Sequence, residues 1–266
     1  PTTQAGQNAV SMWNVRQVRC HARHHEWQKR RLDQEVLNNR VLPLKNLTGK
    51  IIKNSFRRFN FERRIYSGIA TQTFDVAAPT PACSFAVVNQ SAANGVMITA
   101  SHNPPEWNGL KVKSAAGGSA SPEEVANIEL HLADVLDGKS SYSGTHVAQG
   151  QVFDVIGPYL EQLHRVIDVD PIKSQPLKIV VDAMHGCGAG IIPKMLAGGA
   201  IEVTEIRSES NPNFPGMDQP EPIAHNLRPL SDTVRETGAA VGIALDGDAD
   251  RVGIIAENGI YFTTLE

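Results

Sequence analysis

The chain has 266 residues, of which 41% are hydrophobic and 20% charged, a composition that excludes a disordered chain and a small disulfide-stapled domain. No run of about 18 uncharged apolar residues occurs, and the first ten residues lack the basic and apolar regions of a signal peptide, so we expect a cytoplasmic protein that makes no use of a membrane. The cysteines Cys20, Cys83 and Cys187 are too far apart for a C-x-x-C zinc site, and we interpret all three as free thiols.

The formal net charge is −3, but the charged residues are distributed unevenly along the chain. Residues 1–66 carry 14 Lys and Arg against 4 Asp and Glu, whereas residues 67–266 carry 11 against 24. Basic clusters interleaved with aromatic residues could bind nucleic acid, but no helix-turn-helix, zinc-finger or single-strand-binding signature accompanies them. We therefore favour a solvated basic segment, and the status of residues 1–66 stays open. The nearby His21-x-x-His24-His25 lacks a second ligand cluster, so solvated histidines are favoured over a metal site.

Residues 67–145 are predicted to form a first α/β unit. Thr80-Pro81 is typical of a helix start, and the capping box Ser121-Pro-Glu-Glu124 of another. The predicted elements are a helix from Thr80 to about Ala93, strands over 95–100 and 110–113, and a helix from Ser121 to about Leu136. The Ser- and Gly-rich stretch 138–150 is the predicted domain boundary.

Residues 146–266 are predicted to form a second α/β unit with a mainly parallel sheet. The predicted elements are helices over 153–167, 186–198 and 226–237, strands over 177–181, 201–206 and 241–245, and a hairpin of strands 252–256 and 260–264 around Glu257-Asn258-Gly259. The alternation favours an α/β/α sandwich, in which ligands gather beyond the carboxyl ends of the strands.

A run of alternating carboxylates, Asp246-Gly-Asp248-Ala-Asp250-Arg251, directly follows the predicted strand 241–245. Three acids separated only by small residues can surround one hard divalent cation while the backbone turns tightly, and Mg²⁺ is the predicted ion. An EF-hand is disfavoured because Arg251 stands where that loop needs Gly and both flanks are predicted strands. A phosphatase with an Asp nucleophile remains an alternative.

A second motif, Thr99-Ala-Ser101-His102-Asn-Pro-Pro105, places a hydroxyl where a predicted strand enters a proline-braced loop. Such a position can hold a nucleophile exposed and rigid. The motif lacks the Gly-x-Ser-x-Gly elbow of hydrolases, and His102 as the immediate neighbour is poorly placed to take the Ser101 proton, so acyl transfer is disfavoured. Ser101, the acidic run, Arg251 and Lys111 together are the parts of phosphoryl transfer.

These two motifs resemble the phosphoserine loop and the metal loop of the α-D-phosphohexomutases, the phosphoglucomutase/phosphomannomutase enzymes. The resemblance runs from about residue 76 to the end, with further similar segments at Pro79-Thr80-Pro81, Asp182-Ala-Met-His-Gly186, Pro220-Glu-Pro222 and Asn226-Leu227. It implies an isomerase in which Ser101 stores a phosphoryl group, gives it to a hexose phosphate, and regains a phosphate from the resulting hexose 1,6-bisphosphate.

The same resemblance implies a role for each site residue. Asp246, Asp248 and Asp250 would be Mg²⁺ ligands together with phosphorylated Ser101, and Arg251 would steady the phosphate. Lys111 and His102 would lie in the proton-transfer neighbourhood, and we expect cationic surroundings to lower the pKa of Lys111 toward the working range.

The resemblance also implies that this chain corresponds to the N-terminal half of a four-domain enzyme. The family's sugar-binding and phosphate-binding domains would then lie outside it, and the chain by itself would be an incomplete catalyst. The alternative is a non-catalytic fragment or interaction module that keeps the fold. Residues 1–66 depart from the family's opening segment; Cys20-His-Ala-Arg23 is the nearest match to its Gly-x-Asp-x-Arg turn.

One further pattern, Gly186-Cys-Gly188-Ala-Gly190, follows a predicted strand and precedes a predicted helix, as a dinucleotide-binding fingerprint would. Its spacing is Gly-x-Gly-x-Gly rather than Gly-x-Gly-x-x-Gly. We therefore interpret it as a tight turn between strand and helix.

Overall fold

The structure is a computed structural model that describes residues 70–104, 107, 109–136 and 150–262. In chain order the elements are β1 (Thr71–Phe74), α1 (Thr80–Asn89), β2 (Asn94–Thr99), β3 (Gly109–Ser114), α2 (Pro122–Leu136), β4 (Gly150–Phe153), α3 (Ile156–Val166), α4 (Asp170–Lys173), β5 (Lys178–Asp182), α5 (Ile191–Met195), β6 (Glu202–Ile206), α6 (Arg228–Thr237), β7 (Val241–Leu245), β8 (Val252–Ala256) and β9 (Tyr261–Phe262). The basic segment 1–66, with its cysteine and histidines, lies outside the described residues, as does most of the predicted boundary 138–150.

The first unit combines two strand pairs with helix α1. β2 and β3 pair antiparallel, and β1 pairs in parallel with β4. α1 begins at Thr80 as predicted and buries Ala82, Cys83, Ala86 and Val87, a spacing that places one face of the helix inward. It ends at Asn89, four residues before the predicted end, and Ser91 just beyond it adopts a left-handed φ of 50°.

The prediction of a helix over 153–167 is wrong at its start. Residues 150–153 form strand β4 instead, because they pair with β1. The Phe153 ring also packs edge-on against Phe74, with ring centroids 5.4 Å apart. Asp154 then accepts hydrogen bonds from the amides of Ile156 and Gly157, so α3 begins at Ile156. The capping box before α2 is confirmed, with reciprocal hydrogen bonds between Ser121 and Glu124.

The second unit is built on a five-stranded sheet of order β6-β5-β7-β8-β9. The first three strands are parallel, and β8 and β9 continue the sheet antiparallel. One core cluster lies between this sheet and α6, and its buried members are Val180, Met184, Leu227, Leu230, Val234, Ala239, Ala244 and Ile255. The α/β fold class with a parallel sheet core is therefore confirmed.

The predicted helix over 186–198 is the second error. Only Ile191–Met195 is helical, because residues 184–190 form turns in which Met184, His185 and Gly190 all have positive φ. The predicted hairpin after residue 251 forms around Gly259, whose φ of 75° suits the turn, although residues 263 and 264 lie outside the described part of the chain.

The loops after two strands, β2 and β7, carry the two motifs singled out in the sequence. β2 ends at Thr99 and leads into the Ser101 loop, while β7 ends at Leu245 and leads into the acidic run. Within the described ranges, no helix is long and apolar enough to cross a bilayer.

Candidate active site

Ser101 lies in a tight loop just after β2 with a left-handed φ of 55°, which is uncommon for a residue with a side chain. Its amide donates to Thr99 Oγ1 at 2.7 Å. Asn103 closes the loop by donating from its amide and its Nδ2 to the Ala100 carbonyl. These hydrogen bonds hold the strained backbone in place. The Ser101 hydroxyl is directed toward Lys111 and Asp248.

The acidic run, residues 246–251, forms a closed loop between β7 and β8 that we name the metal loop. The Asp246 carboxylate accepts from the amides of Asp250 and Arg251 through Oδ1, and Ala249 turns the chain with a φ of 54°. A Cβ on Gly247 would lie 2.7 Å from the Ser101 carbonyl oxygen, so this glycine allows the metal loop and the serine loop to touch.

Lys111 joins the two loops. Its Nζ donates to Ser101 Oγ at 3.1 Å, to Asp248 Oδ2 at 2.7 Å and to Asp250 Oδ2 at 2.6 Å. Ser101 Oγ in turn donates to Asp248 Oδ1 at 3.3 Å. The structure therefore brings together five of the predicted site residues: Ser101, Lys111, Asp246, Asp248 and Asp250.

The three carboxylates form a site that could hold a metal ion. Each offers one oxygen, and these oxygens lie within 4.8 Å of one another. Asp246 Oδ2 is buried and has no hydrogen-bond partner, which is costly for a carboxylate unless a cation or proton satisfies it. Burial and the charges of Asp248 and Asp250 raise the pKa of Asp246 to about 7. This donor set fits a hard divalent cation.

The charge on Asp248 is supported by its neighbours. Burial acts to raise the pKa of its carboxyl, but hydrogen bonds from Lys111 and Thr80 outweigh burial, so the pKa is lowered. The pKa values of Asp246 and Asp248 are thus shifted in opposite directions, because of these two carboxylates only that of Asp248 accepts hydrogen bonds from side chains.

The expectation that the pKa of Lys111 is lowered is wrong. Burial does act to lower it, but the hydrogen bonds and charges of Asp248 and Asp250 prevail and raise it. Lys111 is therefore an ammonium at neutral pH, and in this resting state it is a proton donor. His102 shows the opposite behaviour, because burial and the charge of Arg251 lower the pKa of its imidazole. Its Nδ1 is buried without a hydrogen-bond partner.

Arg251 forms an ion pair with Glu221 in this structure. Its guanidinium donates to Glu221 Oε1 at 3.2 Å, and its side chain is 46% exposed. Glu221 belongs to a strap, residues 219–226, that Asn226 ties by donating from Nδ2 to the carbonyls of Gln219 and Glu221. Arg207, paired with buried Asp182, donates to the Asn226 carbonyl and so anchors the strap.

Sequence reasoning missed two site residues, although both lie in segments it singled out. Thr80 donates to the Asp248 carboxylate at 2.7 Å across 168 positions of chain, and Glu221 pairs with Arg251 across 30. Local patterns carry no signal for such contacts.

The glycine pattern 186–190 packs beneath the metal loop. A Cβ on Gly186 would lie 2.6 Å from the Gly247 carbonyl oxygen, and one on Gly188 would lie 2.7 Å from the Leu245 side chain. The Cys187 amide donates to the Gly247 carbonyl. The glycines thus allow a close loop-to-loop approach, which agrees with the interpretation as a tight turn.

Comparisons with known proteins show the family to which this chain belongs. Residues 59–137 match the family model described as phosphoglucomutase/phosphomannomutase, alpha/beta/alpha domain I, and residues 157–259 match that of domain II. The chain belongs to the phosphoglucomutase/phosphomannomutase family. Ser101 and Lys111 lie in the first matched range, and all three acidic residues lie in the second.

Individual relatives give the same result. The chain is 37% identical over 201 residues to "Probable phosphoglucosamine mutase" of Methanopyrus kandleri, covering 74% of this chain and 43% of that protein. It is 34% identical to "Phosphoglucomutase/phosphomannomutase" of Thermococcus kodakarensis, with the same coverage. A crystal structure assigned to phosphomannomutase from Thermus thermophilus matches with a TM-score of 0.69 and 31% identity, covering 80% of this chain and 48% of that one. The chain therefore spans about half the length of these relatives.

The raised pKa of Asp246 leads to a testable pH dependence of stability in chelator. Between about pH 4 and 7 the folded state holds a proton that the unfolded state has released, so the free energy of unfolding falls as the pH rises through this window. Asp246→Asn should remove that fall and raise Tm above the wild-type value at pH 8 by about 5 °C.

The measurement is a thermal melt in EDTA from about pH 4.5 to 8. His102 opposes Asp246 just below pH 6.5, since its lowered pKa makes stability rise with pH there, and His102→Gln serves as the control that removes this opposing slope. Parallel curves of Tm against pH for wild type and Asp246→Asn would contradict the raised pKa of Asp246.

Proposed function

We propose that this chain supplies the phosphoserine and metal-binding half of a Mg²⁺-dependent phosphohexomutase. The observation that carries the proposal is the contact of Lys111 Nζ with Ser101 Oγ on one side and with the Asp248 and Asp250 carboxylates on the other. A nucleophilic oxygen, a cation and a cluster of acidic metal ligands within hydrogen-bonding distance are the parts that phosphoryl transfer requires.

The substrates proposed are a hexose phosphate and the hexose 1,6-bisphosphate formed from it. In the forward transfer, the bond between phosphorus and Ser101 Oγ breaks while a bond from phosphorus to a sugar hydroxyl oxygen forms. Lys111, as an ammonium in contact with Ser101 Oγ, donates a proton to the leaving serine oxygen. In the return transfer the Ser101 proton passes back to the Lys111 amine. Because sugar phosphates are charged, they do not cross membranes unaided, and we propose that the enzyme acts in the cytoplasm.

The sugar hydroxyl must lose a proton as it attacks. His102 is our candidate acceptor, because its lowered pKa keeps the imidazole neutral at pH 7 and it directly follows Ser101 in the loop. Arg251, released from Glu221, is long enough to bind a phosphate oxygen at the loop edge.

Mg²⁺ is the ion proposed for the acidic cluster. Asp246, Asp248 and Asp250 would hold it through carboxylate oxygens, together with an oxygen of phosphorylated Ser101. When bound, the ion supplies positive charge that stabilises the phosphoryl oxygens in the transition state. In the closed loop the Ala249 amide donates to the Asp246 carbonyl and the Asp246 amide to the Arg251 carbonyl, and one oxygen from each of the three carboxylates lies within 4.8 Å of the others.

The test is incubation of the chain with glucose 1,6-bisphosphate and Mg²⁺, followed by intact mass and phosphopeptide mapping. We expect one phosphoryl group, on Ser101. A hydroxylamine-labile phosphate on Asp246 or Asp248 would instead indicate the Asp-nucleophile phosphatase. No incorporation at any bisphosphate concentration would indicate a non-catalytic module.

Lys111→Met should slow phosphoryl transfer to Ser101 by about 10²-fold, because the variant loses the cation beside Ser101 Oγ that would offset the negative charge of the incoming phosphoryl group. The measurement is single-turnover phosphate incorporation at saturating Mg²⁺. Lys113→Met, on the same face of β3 but in no hydrogen bond with Ser101, is the matched control and should stay within about threefold of wild type. A similarly small effect of Lys111→Met would return Lys111 to a structural role.

A further inference from the structure

Thr80, the first residue of α1, contacts one residue of the metal loop at two points. Its amide donates to the Asp248 carbonyl at 2.9 Å, and its Oγ1 donates to Asp248 Oδ2 at 2.7 Å. Thr80 is only 2% exposed. The first hydrogen bond fixes the backbone of the metal loop against the end of the helix, and the second fixes the plane of the carboxylate.

The two oxygens of Asp248 are used differently. Thr80 and Lys111 both donate to Oδ2, while Oδ1 accepts from Ser101 Oγ. Two donors on one oxygen prevent the carboxylate from rotating, so Oδ1 stays directed toward Ser101. Of these donors, Lys111 is long and has many rotamers, whereas Thr80 is short, β-branched and buried in the first turn of a helix.

The position of Thr80 also suits the charge of its partner. It lies at the N-terminus of a ten-residue helix whose preceding Pro79 makes no side-chain cap, so the positive end of the helix faces Asp248. The acceptor for the first amide of this helix comes from the metal loop, whereas the Ala82 amide donates to the Pro79 carbonyl. The same residue, Thr80, therefore both orients the Asp248 carboxylate and attaches α1 to the loop.

We propose that Thr80 is a positioning residue that aims the Asp248 carboxylate at Ser101 and at the bound cation, and that it thereby couples the serine-bearing unit to the metal loop. The inference rests on the proposed function in taking Asp248 as a metal ligand. Groups that orient a ligand in this way typically change metal affinity by about 10- to 100-fold when removed.

The variant Thr80→Val keeps the β-branched shape and the amide hydrogen bond but removes the hydroxyl, and Thr80→Ser keeps the hydroxyl. With calorimetric titration of Mg²⁺ into the full 266-residue chain, we expect affinity to fall about tenfold in Thr80→Val and to recover to within about threefold in Thr80→Ser. Thr237→Val, which removes a hydroxyl hydrogen bond inside α6, should leave the affinity unchanged. Thr80→Ala repeats the measurement if Thr80→Val folds poorly.

A second readout needs no metal. The amides of Asp250 and Arg251 donate to Asp246 within the metal loop, and their hydrogen exchange in EDTA should quicken about tenfold in Thr80→Val but not in Thr80→Ser. If the wild-type chain bound no Mg²⁺, the proposed function would fail while this exchange measurement would still decide the role of Thr80. Unchanged loop exchange in Thr80→Val, or a Mg²⁺ affinity equal to that of a wild type that does bind the ion, would overturn the inference.

Discussion

Replacing Ser101 by alanine should abolish phosphate incorporation from glucose 1,6-bisphosphate. The hydroxyl oxygen of Ser101 contacts both Lys111 Nζ and the Asp248 carboxylate, so it is the oxygen that we expect to accept the phosphoryl group. We expect incorporation to fall by more than about 10³-fold, to the background of the assay, because the covalent step itself is removed. Radiolabel incorporation or intact mass measures the result directly.

A matched control exists in the same unit. Ser91 has a left-handed φ of 50°, close to the 55° of Ser101, but it lies in the exposed turn after α1. Ser91→Ala should therefore carry the same backbone cost without changing incorporation. If Ser101→Ala still accepted phosphate at a substantial rate, the nucleophile would have to be sought among the carboxylates.

The second large effect is expected from Asp248→Asn, which should weaken Mg²⁺ binding by roughly 10²-fold. The amide keeps the shape of the side chain and can still accept from Thr80, but it removes one negative charge from the three-carboxylate cluster and disrupts the ion pair with Lys111. A small cation with strict octahedral preference depends strongly on the number of charged oxygen ligands.

Calorimetric titration measures this affinity, and melts in EDTA verify that the variant is folded. Asp232→Asn, which removes an exposed carboxylate on α6, is the control and should bind Mg²⁺ as the wild type does. Equal affinities for Asp248→Asn and wild type would mean that the acidic run is a solvated turn rather than a metal site.

Local patterns were sufficient for much of the fold. The capping box of Ser121 and Glu124 acts within four residues, so the helix start it predicts does not depend on the rest of the chain. The same holds for Thr80-Pro81 at the start of α1 and for Gly259 in the hairpin. The two errors arose where tertiary contacts decided: residues 150–153 pair with β1, and the glycine loop packs on the metal loop.

The acidic run is the part of the site that the sequence alone determined. Its three carboxylates are separated by single small residues after a buried strand, so their convergence is a property of one short loop, confirmed by oxygens within 4.8 Å. The position of Ser101 after a strand was predictable for the same reason, because a strand end followed by two prolines defines a stiff loop wherever it packs.

The tertiary structure alone decided the protonation states of the site residues and the side-chain contacts that join the two loops. Lys111 was expected to have a lowered pKa, yet its contacts with Asp248 and Asp250, 137 and 139 positions away, raise it. Arg251 pairs with Glu221, and Thr80 reaches Asp248 across 168 positions. Hydrogen bonds and charges act over a few ångströms of space, whereas sequence patterns report only on neighbours along the chain, so the protonation states of this site follow from packing.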